Sequence, residues 1–277
     1  MTLLYFYVSF FKRWLKFYLK ARTRHDVHSP FVSEFIQEVV ENKRPYYTFF
    51  IVEQLRKKLL SIESGIKITD YGAGSMVRNN NERTISDLAR FAAISPRLGR
   101  IIFNITRVYK PETILELGTS LGISTLYLAG AAPRSRMITI EGCPETAKTA
   151  SNNLRNLGMS SISVWTGPFK ENLLPALKDL QQLDLLYLDG DHQKGATLKY
   201  YKQCLKYAHE HSVFIIADIH WSSAMEQAWD ALKSKEEVTL AIDLFHFGVL
   251  FFRKELKVKA SYSIVPYRWK PWRMGFF

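Results

Sequence analysis

The chain has 277 residues, an apolar fraction of 47% and a net charge of +12. This length suits one large domain with extensions, and the apolar fraction is that of a globular protein with a sizeable core. The two cysteines, Cys143 and Cys204, are far apart and match no metal-ligand pattern, which excludes a disulfide scaffold and indicates a reducing, cytoplasmic compartment. The positive charge favours acidic partners: phosphate-rich molecules, nucleic acid or an anionic membrane.

Residues 1–24 join an apolar, aromatic run to basic residues, with no acid before Asp26. The run is too short to cross a bilayer, which takes about twenty residues, and it lacks the features of a signal peptide. Two interpretations stay open. The segment can lie as a basic, aromatic helix on an anionic membrane, at the inner surface. Alternatively, its aromatic residues can pack on the body of the protein or on a second subunit, and we favour this second interpretation.

The next helix is marked by Ser29 as N-cap and Pro30 as first helical residue, followed by apolar residues at helical spacing up to Val40. Further helices are predicted over residues 52–60, 84–93 and 97–109. Residues 68–75 carry an acid and two glycines that imitate a nucleotide-binding turn. Polar residues follow where a packed helix should begin, so we interpret this segment as a loop near the mouth of the site.

The central motif of the chain runs from Thr113 to Ala129. A short apolar run typical of a buried strand is followed by Gly118 and Gly122 and then by residues suited to a helix. A strand that enters a Gly-rich turn and a helix is the first unit of a nucleotide-binding α/β domain, because glycine permits tight turns and close ligand approach. The spacing is neither that of the dinucleotide turn nor that of a phosphate-clamping loop.

A second strand over residues 135–141 ends in Glu141, where a carboxylate can accept hydrogen bonds from both ribose hydroxyls of an adenosine cofactor. Beyond it, strands are predicted over residues 162–166, 183–188, 213–218, 238–242 and 248–252, the last two as an antiparallel pair. Helices are predicted over residues 144–157, 172–180, 196–209 and 223–232. This alternation predicts an α/β fold with a doubly wound, mostly parallel sheet and right-handed crossovers.

The pattern acid-x-Gly-x-x-x-Gly from Glu116 to Gly122, followed by the acid at 141, resembles the first motif of class I methyltransferases, which bind S-adenosylmethionine. A helix directly before the first strand resembles the small-molecule O-methyltransferases related to catechol O-methyltransferase. Residues 25–31, His-Asp-Val-His-Ser-Pro-Phe, are similar to those of uncharacterised bacterial methyltransferase-like proteins, a match that brings no substrate with it. The resemblance covers about residues 95–252.

The resemblance implies a Rossmann-like, seven-stranded sheet with a helical N-terminal extension. We expect the extension over residues 1–110, an S-adenosylmethionine-binding domain over 111–255 and a basic, aromatic tail over 256–277. The residues expected to contact the cofactor follow the strand ends: Glu116, Gly118, Thr119, Ser120, Gly122, Ser124, Glu141, Gly142, Gly167 and Asp189.

The residues expected to carry the chemistry are Asp189, His192, Asp218 and His220. Methyl transfer is an in-line displacement in which the protein aligns the nucleophile and removes its proton. In metal-dependent relatives, acids matching Asp189 and Asp218 hold a divalent cation such as Mg²⁺ together with an Asn directly after the second acid. Ile219 replaces that Asn, which weakens the case for magnesium. His192 or His220 would then complete a site for a softer ion, or act as a base without metal.

We therefore predict a methyltransferase that O-methylates a small molecule, acidic or lipid-associated. The segment after the fourth strand lacks the Asn/Asp-Pro-Pro-aromatic pattern of enzymes that methylate base amines, so nucleic acid is not the expected substrate. A non-enzymatic membrane-surface or scaffold protein that kept the cofactor fold is the alternative, and a nicotinamide-dependent oxidoreductase fits less well because the second glycine of its turn is missing. A homodimer stays open. The basic, aromatic tail can stack bases or anchor at a headgroup layer, but we expect it to pack across the domain edge.

Overall fold

The structure is a computed structural model that describes residues 3–69, 82–159 and 161–273. Most of the loop predicted at 68–75 therefore lies outside the described residues. The α-helices of the described residues are α1 Leu3–Lys20, α2 Pro30–Phe35, α3 Tyr47–Leu60, α4 Ile85–Phe91, α5 Pro96–Tyr109, α6 Ile123–Ala131, α7 Pro144–Asn156, α8 Phe169–Leu180, α9 Lys194–Leu205 and α10 Ser223–Lys233. The strands are β1 Gly65–Lys67, β2 Glu82–Thr84, β3 Thr113–Leu117, β4 Arg136–Glu141, β5 Ser163–Thr166, β6 Leu185–Leu188, β7 Val213–Ala217, β8 Leu240–Asp243, β9 Phe247–Phe251 and β10 Ala260–Ser263.

The main sheet in the described part of the chain has eight strands in the order β10-β8-β9-β7-β6-β3-β4-β5. Strands β3 to β7 are parallel to their neighbours in this group, and β9 runs antiparallel to both β7 and β8. The α/β, Rossmann-like and mostly parallel sheet is thus confirmed. Winding reverses between β3 and β6, and in such sheets the ligand crevice lies outside the carboxyl ends of the strands at that point.

The prediction of seven strands is wrong, because β10 adds an eighth strand in parallel to β8. Its sequence, Ala-Ser-Tyr-Ser, lacks the apolar run or the clear alternation that would mark a strand. A small two-stranded antiparallel sheet of β1 and β2 was not predicted either. Each of its strands has only three residues, too few to carry a pattern.

Both faces of the main sheet are covered, and this explains why its central strands are continuously apolar. Leu185 and Tyr187 of β6 belong to the core under α5 and α6, whereas Leu186 and Leu188 belong to the core under α8, α9 and α10. A strand buried on both faces needs no polar alternation.

Helix signals in the sequence place most helix starts correctly. The Ser29 hydroxyl caps α2, and Ser95 with Pro96 starts α5 in the same way. α2 continues as a π-helical turn, Ile36–Val40. α8 begins three residues earlier than predicted because Pro168 takes the N-cap position, and α9 ends at Leu205 rather than at 209.

The two ends of the chain pack together beside β8 and β10. Arg22 forms a parallel bridge with Ile264. The buried Lys270 ammonium donates to the carbonyl of Ala21 at 2.7 Å and to that of Leu19 at 3.4 Å, and so closes the C-terminal end of α1. No helix in the described ranges has the length and apolarity to span a bilayer.

Candidate active site

The Gly-rich turn after β3 is fixed by the approach of the neighbouring strand end. Gly118 has φ +105°, its N–H donates to the carbonyl of Ile140, and a Cβ at this position would collide with the carbonyl oxygen of Asp189. Gly122 has φ +84° and precedes α6 as its N-cap. From the sequence, the glycines were expected to let a ligand approach the backbone. The structure adds a second reason at position 118, because only glycine leaves room for the backbone carbonyl directly after β6.

Glu141 lies at the end of β4 with its carboxylate against this turn. Its Oε2 accepts from the Ser120 N–H at 2.8 Å, and its Oε1 accepts from the Cys143 N–H at 3.0 Å. Burial raises the pKa of the Glu141 carboxyl, while these backbone donors act in the opposite direction. These two hydrogen bonds hold the carboxylate against the Gly-rich turn.

Glu116 lies beneath the turn and is completely buried. Its carboxylate accepts from the hydroxyls of Ser124 at 2.6 Å, Thr125 at 2.5 Å and Thr139 at 2.7 Å. Burial raises its pKa to about 7 although these hydroxyls oppose the shift. The expectation that Glu116 contacts the cofactor is corrected, because its oxygens are used to tie β3 to β4 and α6.

A cleft of about 910 Å³ opens at the carboxyl edge of the sheet. Predicted cofactor residues that line it are Gly118, Thr119, Ser120, Ser124, Glu141, Gly142 and Asp189. Glu116, Gly122 and Gly167 do not line it. Gly167 turns the chain after β5 with φ +127°, and its N–H donates to the Glu141 carbonyl. It therefore supports the cleft from outside.

Asp189, His192 and Asp218 converge in the same cleft, and one possible ligand atom from each lies within 4.8 Å of the others. His192 Nε2 is 3.8 Å from a carboxylate oxygen of each acid. The Tyr187 hydroxyl donates to Asp189 at 2.7 Å. Burial and the charge of Asp189 raise the pKa of Asp218, and His192 opposes this shift. The buried Nδ1 of His192 has no hydrogen-bond partner among the described residues.

His220 does not join this cluster, and its predicted catalytic role is corrected. Its Nδ1 is 2.8 Å from Glu226, its Nε2 is 2.9 Å from Asp243, and its ring stacks on Phe245. The reason is a turn directly after β7, in which Asp218 has φ +54° and its carbonyl accepts from the Trp221 N–H. The turn directs the two side chains to different sides, and only Asp218 lines the cleft.

Much of the remaining lining of the cleft is apolar, and it was not predicted from the sequence. Its lining includes Phe6, Tyr7, Leu88, Phe91, Phe169, Trp221 and Phe247, with Arg83 and Lys170 as cations. These residues come from segments that are distant in sequence, so no local pattern groups them. The Phe6 and Trp221 rings, 4.9 Å apart, bring α1 to the wall of the cleft.

Comparisons with known proteins agree with this geometry. A family model described as "Methyltransferase domain" matches residues 115–219. The catechol O-methyltransferase of Mycobacterium tuberculosis is 29% identical over 129 residues, and that of Niastella koreensis is 30% identical over 130 residues. Each alignment covers 46% of this chain and 57% of the relative, so the chain spans a little over half the length of the curated relatives it matches.

Among solved structures, an O-methyltransferase from Bacillus cereus in complex with SAH has a TM-score of 0.53 at 16% identity, and the match covers 80% of this chain and 97% of that one. At this low identity, the match shows a similar fold and nothing more. The fold match, the family model and the catechol O-methyltransferase relatives together confirm the resemblance first seen around Gly118. Residues 115–219 are thus similar to a methyltransferase domain, and the resemblance is to the class I, S-adenosylmethionine-dependent O-methyltransferase group.

Proposed function

We propose that the protein transfers the methyl group of S-adenosylmethionine to a hydroxyl group of a small molecule held in the cleft. One observation carries the proposal. The Glu141 carboxylate, set against the Gly-rich turn, and the cluster of Asp189, His192 and Asp218 line the same cleft. One part suits an adenosine and the other suits an acceptor that must lose a proton.

The residues around the turn fit the cofactor. The Glu141 carboxylate has lone pairs for ribose hydroxyls, and Gly142 beside it also lines the cleft. A volume of about 910 Å³ is enough for a nucleoside-sized ligand and a small acceptor together. When bound, the cofactor supplies an activated sulfonium methyl, so the protein mainly has to orient the acceptor.

The acidic cluster is the proposed place of proton removal. His192 Nε2, 3.8 Å from both Asp189 and Asp218, accepts the proton of the acceptor hydroxyl. The two carboxylates stabilise the imidazolium that forms. Tyr187 holds the Asp189 carboxylate through its hydroxyl and so limits the rotation of that side chain.

The same three side chains fit a divalent cation. They offer two carboxylate oxygens and an imidazole nitrogen, while the buried Ile219 offers no ligand atom. A bound ion would lower the pKa of an acceptor hydroxyl. Because a nitrogen takes part, we expect Mn²⁺ or Zn²⁺ to bind more tightly than Mg²⁺.

Calorimetry with S-adenosylhomocysteine tests the cofactor site. We expect Glu141→Ala to weaken binding by about 100-fold, since hydrogen bonds to a charged group contribute about 1.5–3 kcal/mol each. Glu145→Ala, a change of an exposed acid on the next helix, is the matched control and should bind like the wild type. Absence of binding by the wild type, or equal binding by both variants, would contradict the proposal.

Transfer of a labelled methyl group tests the reaction, with catechols as the first acceptors because the curated relatives are named for them. His192→Ala should lose most of the turnover and keep S-adenosylhomocysteine affinity. The alternative, a membrane-surface or scaffold protein that kept the cofactor fold, predicts either no cofactor binding or cofactor binding without transfer to any phenol, with or without added metal.

A further inference from the structure

Helix α1 is fixed to the protein by one aromatic face. Phe10 and Phe17 pack on Phe245, with ring centroids 5.2 Å and 5.3 Å apart. The guanidinium of Arg13 donates to the carbonyls of His220 at 2.8 Å and Trp221 at 3.0 Å. These contacts hold the helix in one orientation, so the residues on its opposite, outward face can be identified.

That opposite face carries a second apolar stripe. Val8, Phe11, Leu15 and Leu19 are spaced three or four residues apart, and their exposed fractions are 46%, 58%, 40% and 66%. We call these four residues the outward stripe. Side chains at this spacing lie along one side of a helix, so the stripe is continuous. A continuous exposed apolar patch indicates an interaction surface.

A row of lysines borders the outward stripe. Lys12, Lys16 and Lys20 are exposed and one helical turn apart, and we call them the lysine row. Residues 1–25 contain no acid, and the whole chain has a net charge of +12. A second copy of the chain would bring the same row of positive charges to this face. The complementary partner is a negatively charged surface that also accepts apolar side chains.

We propose that the outward stripe and the lysine row bind an anionic lipid surface. The apolar side chains enter the boundary between headgroups and acyl chains, and the lysines pair with lipid phosphates. This interaction goes beyond the proposed methyl transfer and does not depend on it.

The position of α1 gives this surface a consequence for the cleft. Phe6 and Tyr7, on the first turns of the same helix, line the cleft, and Tyr7 is 60% exposed. A bilayer that touches Val8 and Phe11 is then within a helical turn of the opening. An amphiphilic acceptor with a phenolic head would reach the cleft from the bilayer without crossing water.

Vesicle sedimentation with the full chain tests the surface. We expect binding to vesicles of phosphatidylcholine mixed with phosphatidylglycerol, weakened by salt, and little binding to phosphatidylcholine alone. The variant Lys12→Gln/Lys16→Gln/Lys20→Gln should bind about 100-fold more weakly, because each lysine near the surface contributes about a factor of five. The matched control is Lys199→Gln/Lys202→Gln/Lys206→Gln, three exposed lysines at similar spacing on α9 and directly after it, which should bind like the wild type.

A second pair of variants tests the apolar stripe. Phe11→Ser/Leu15→Ser should weaken vesicle binding by about 10-fold. Tyr47→Ser/Phe50→Ser changes two exposed aromatic residues of α3 and should leave vesicle binding unchanged. Circular dichroism confirms that each variant is folded.

Three results would overturn the proposal. The first is equal loss of binding in both lysine triples, and the second is equal binding to neutral and anionic vesicles. The third is a wild-type dimer that Phe11→Ser/Leu15→Ser converts to a monomer while vesicles are not bound, which would make this face a self-interface.

Discussion

The two sides of the cleft are built in different ways. The cofactor side comes from one β-α-β unit, β3-α6-β4, and a backbone N–H of Ser120 joins its turn to the Glu141 carboxylate. The acceptor side collects residues from position 6 to position 247 and is held by side-chain packing, such as that of Phe6 on Trp221. Local backbone geometry thus defines the cofactor side, and tertiary packing defines the acceptor side. Except at the contact between Gly118 and the Asp189 carbonyl, the two sides should respond independently to substitution.

The largest expected effect concerns the backbone of the cofactor side. Gly118→Ala should lower the free energy of unfolding by about 4 kcal/mol, because the new Cβ meets the Asp189 carbonyl and the φ of +105° is strained for alanine. Gly122→Ala shares the positive φ, but its Cβ would lie 3.6 Å or more from its neighbours, so we expect a loss of only about 1 kcal/mol. Urea unfolding compares them. Equal losses would mean that the close approach of β6 does not shape the turn.

A smaller effect, seen as a pH dependence, is expected from Glu116. Its pKa is raised from the ordinary 4.5 to about 7, so the native state keeps a proton that the unfolded state releases. The contribution of Glu116 to the free energy of unfolding is therefore fully present below pH 4.5. It is lost as the pH rises through 7, by about 3 kcal/mol in total. Glu116→Gln removes this titration while the hydroxyls around it can still reorient.

The measurement for Glu116 is urea unfolding of both proteins across this pH window. The stability of Glu116→Gln relative to the wild type should rise with pH, whereas Glu145→Gln, at an exposed position, should show no such trend. A constant difference between Glu116→Gln and the wild type would show that Glu116 is ionised in the native state throughout.

The smallest effect concerns the acceptor side. Arg13→Gln removes the guanidinium that holds α1 on the carbonyls of His220 and Trp221, and we expect a loss of about 1 kcal/mol. S-adenosylhomocysteine affinity should not change, because Arg13 holds α1 on the turn after β7 and not on the Gly-rich turn. Lys16→Gln, on the exposed side of the helix, is the control and should change neither quantity. A fall in cofactor affinity with Arg13→Gln would show that the two sides are coupled.

The same contrast explains what could be predicted from the sequence. The central strands and the turn at Gly118 follow local rules of apolar runs and glycine, and these predictions hold. The separation of His192 from His220 could not be predicted in this way, because it depends on a positive φ at Asp218, directly after β7. The strand β10 was missed because its four residues form a strand by pairing with β8, and their sequence alone shows no strand pattern.

Glu116 shows a different limit. A glutamate near the end of a strand looks like a cofactor ligand in the sequence, but the sequence does not show whether its carboxylate faces the cleft or the core. The three hydroxyls that surround it, from Ser124, Thr125 and Thr139, come from α6 and β4 and were not read together with it. Their spacing in the sequence gives no sign that they converge on one carboxylate.

The contacts between α1 and the C-terminal segment around Lys270 have a consequence for the order of folding. Lys270 closes α1 through the carbonyls of Leu19 and Ala21, and Tyr18 donates to the carbonyl of Trp269, contacts that span about 250 positions. On the ribosome, α1 emerges long before Phe245 and Lys270, the residues on which it packs. Its aromatic side chains therefore stay without these partners until Phe245 and Lys270 have been synthesised, so we expect α1 to dock late in the folding of the domain.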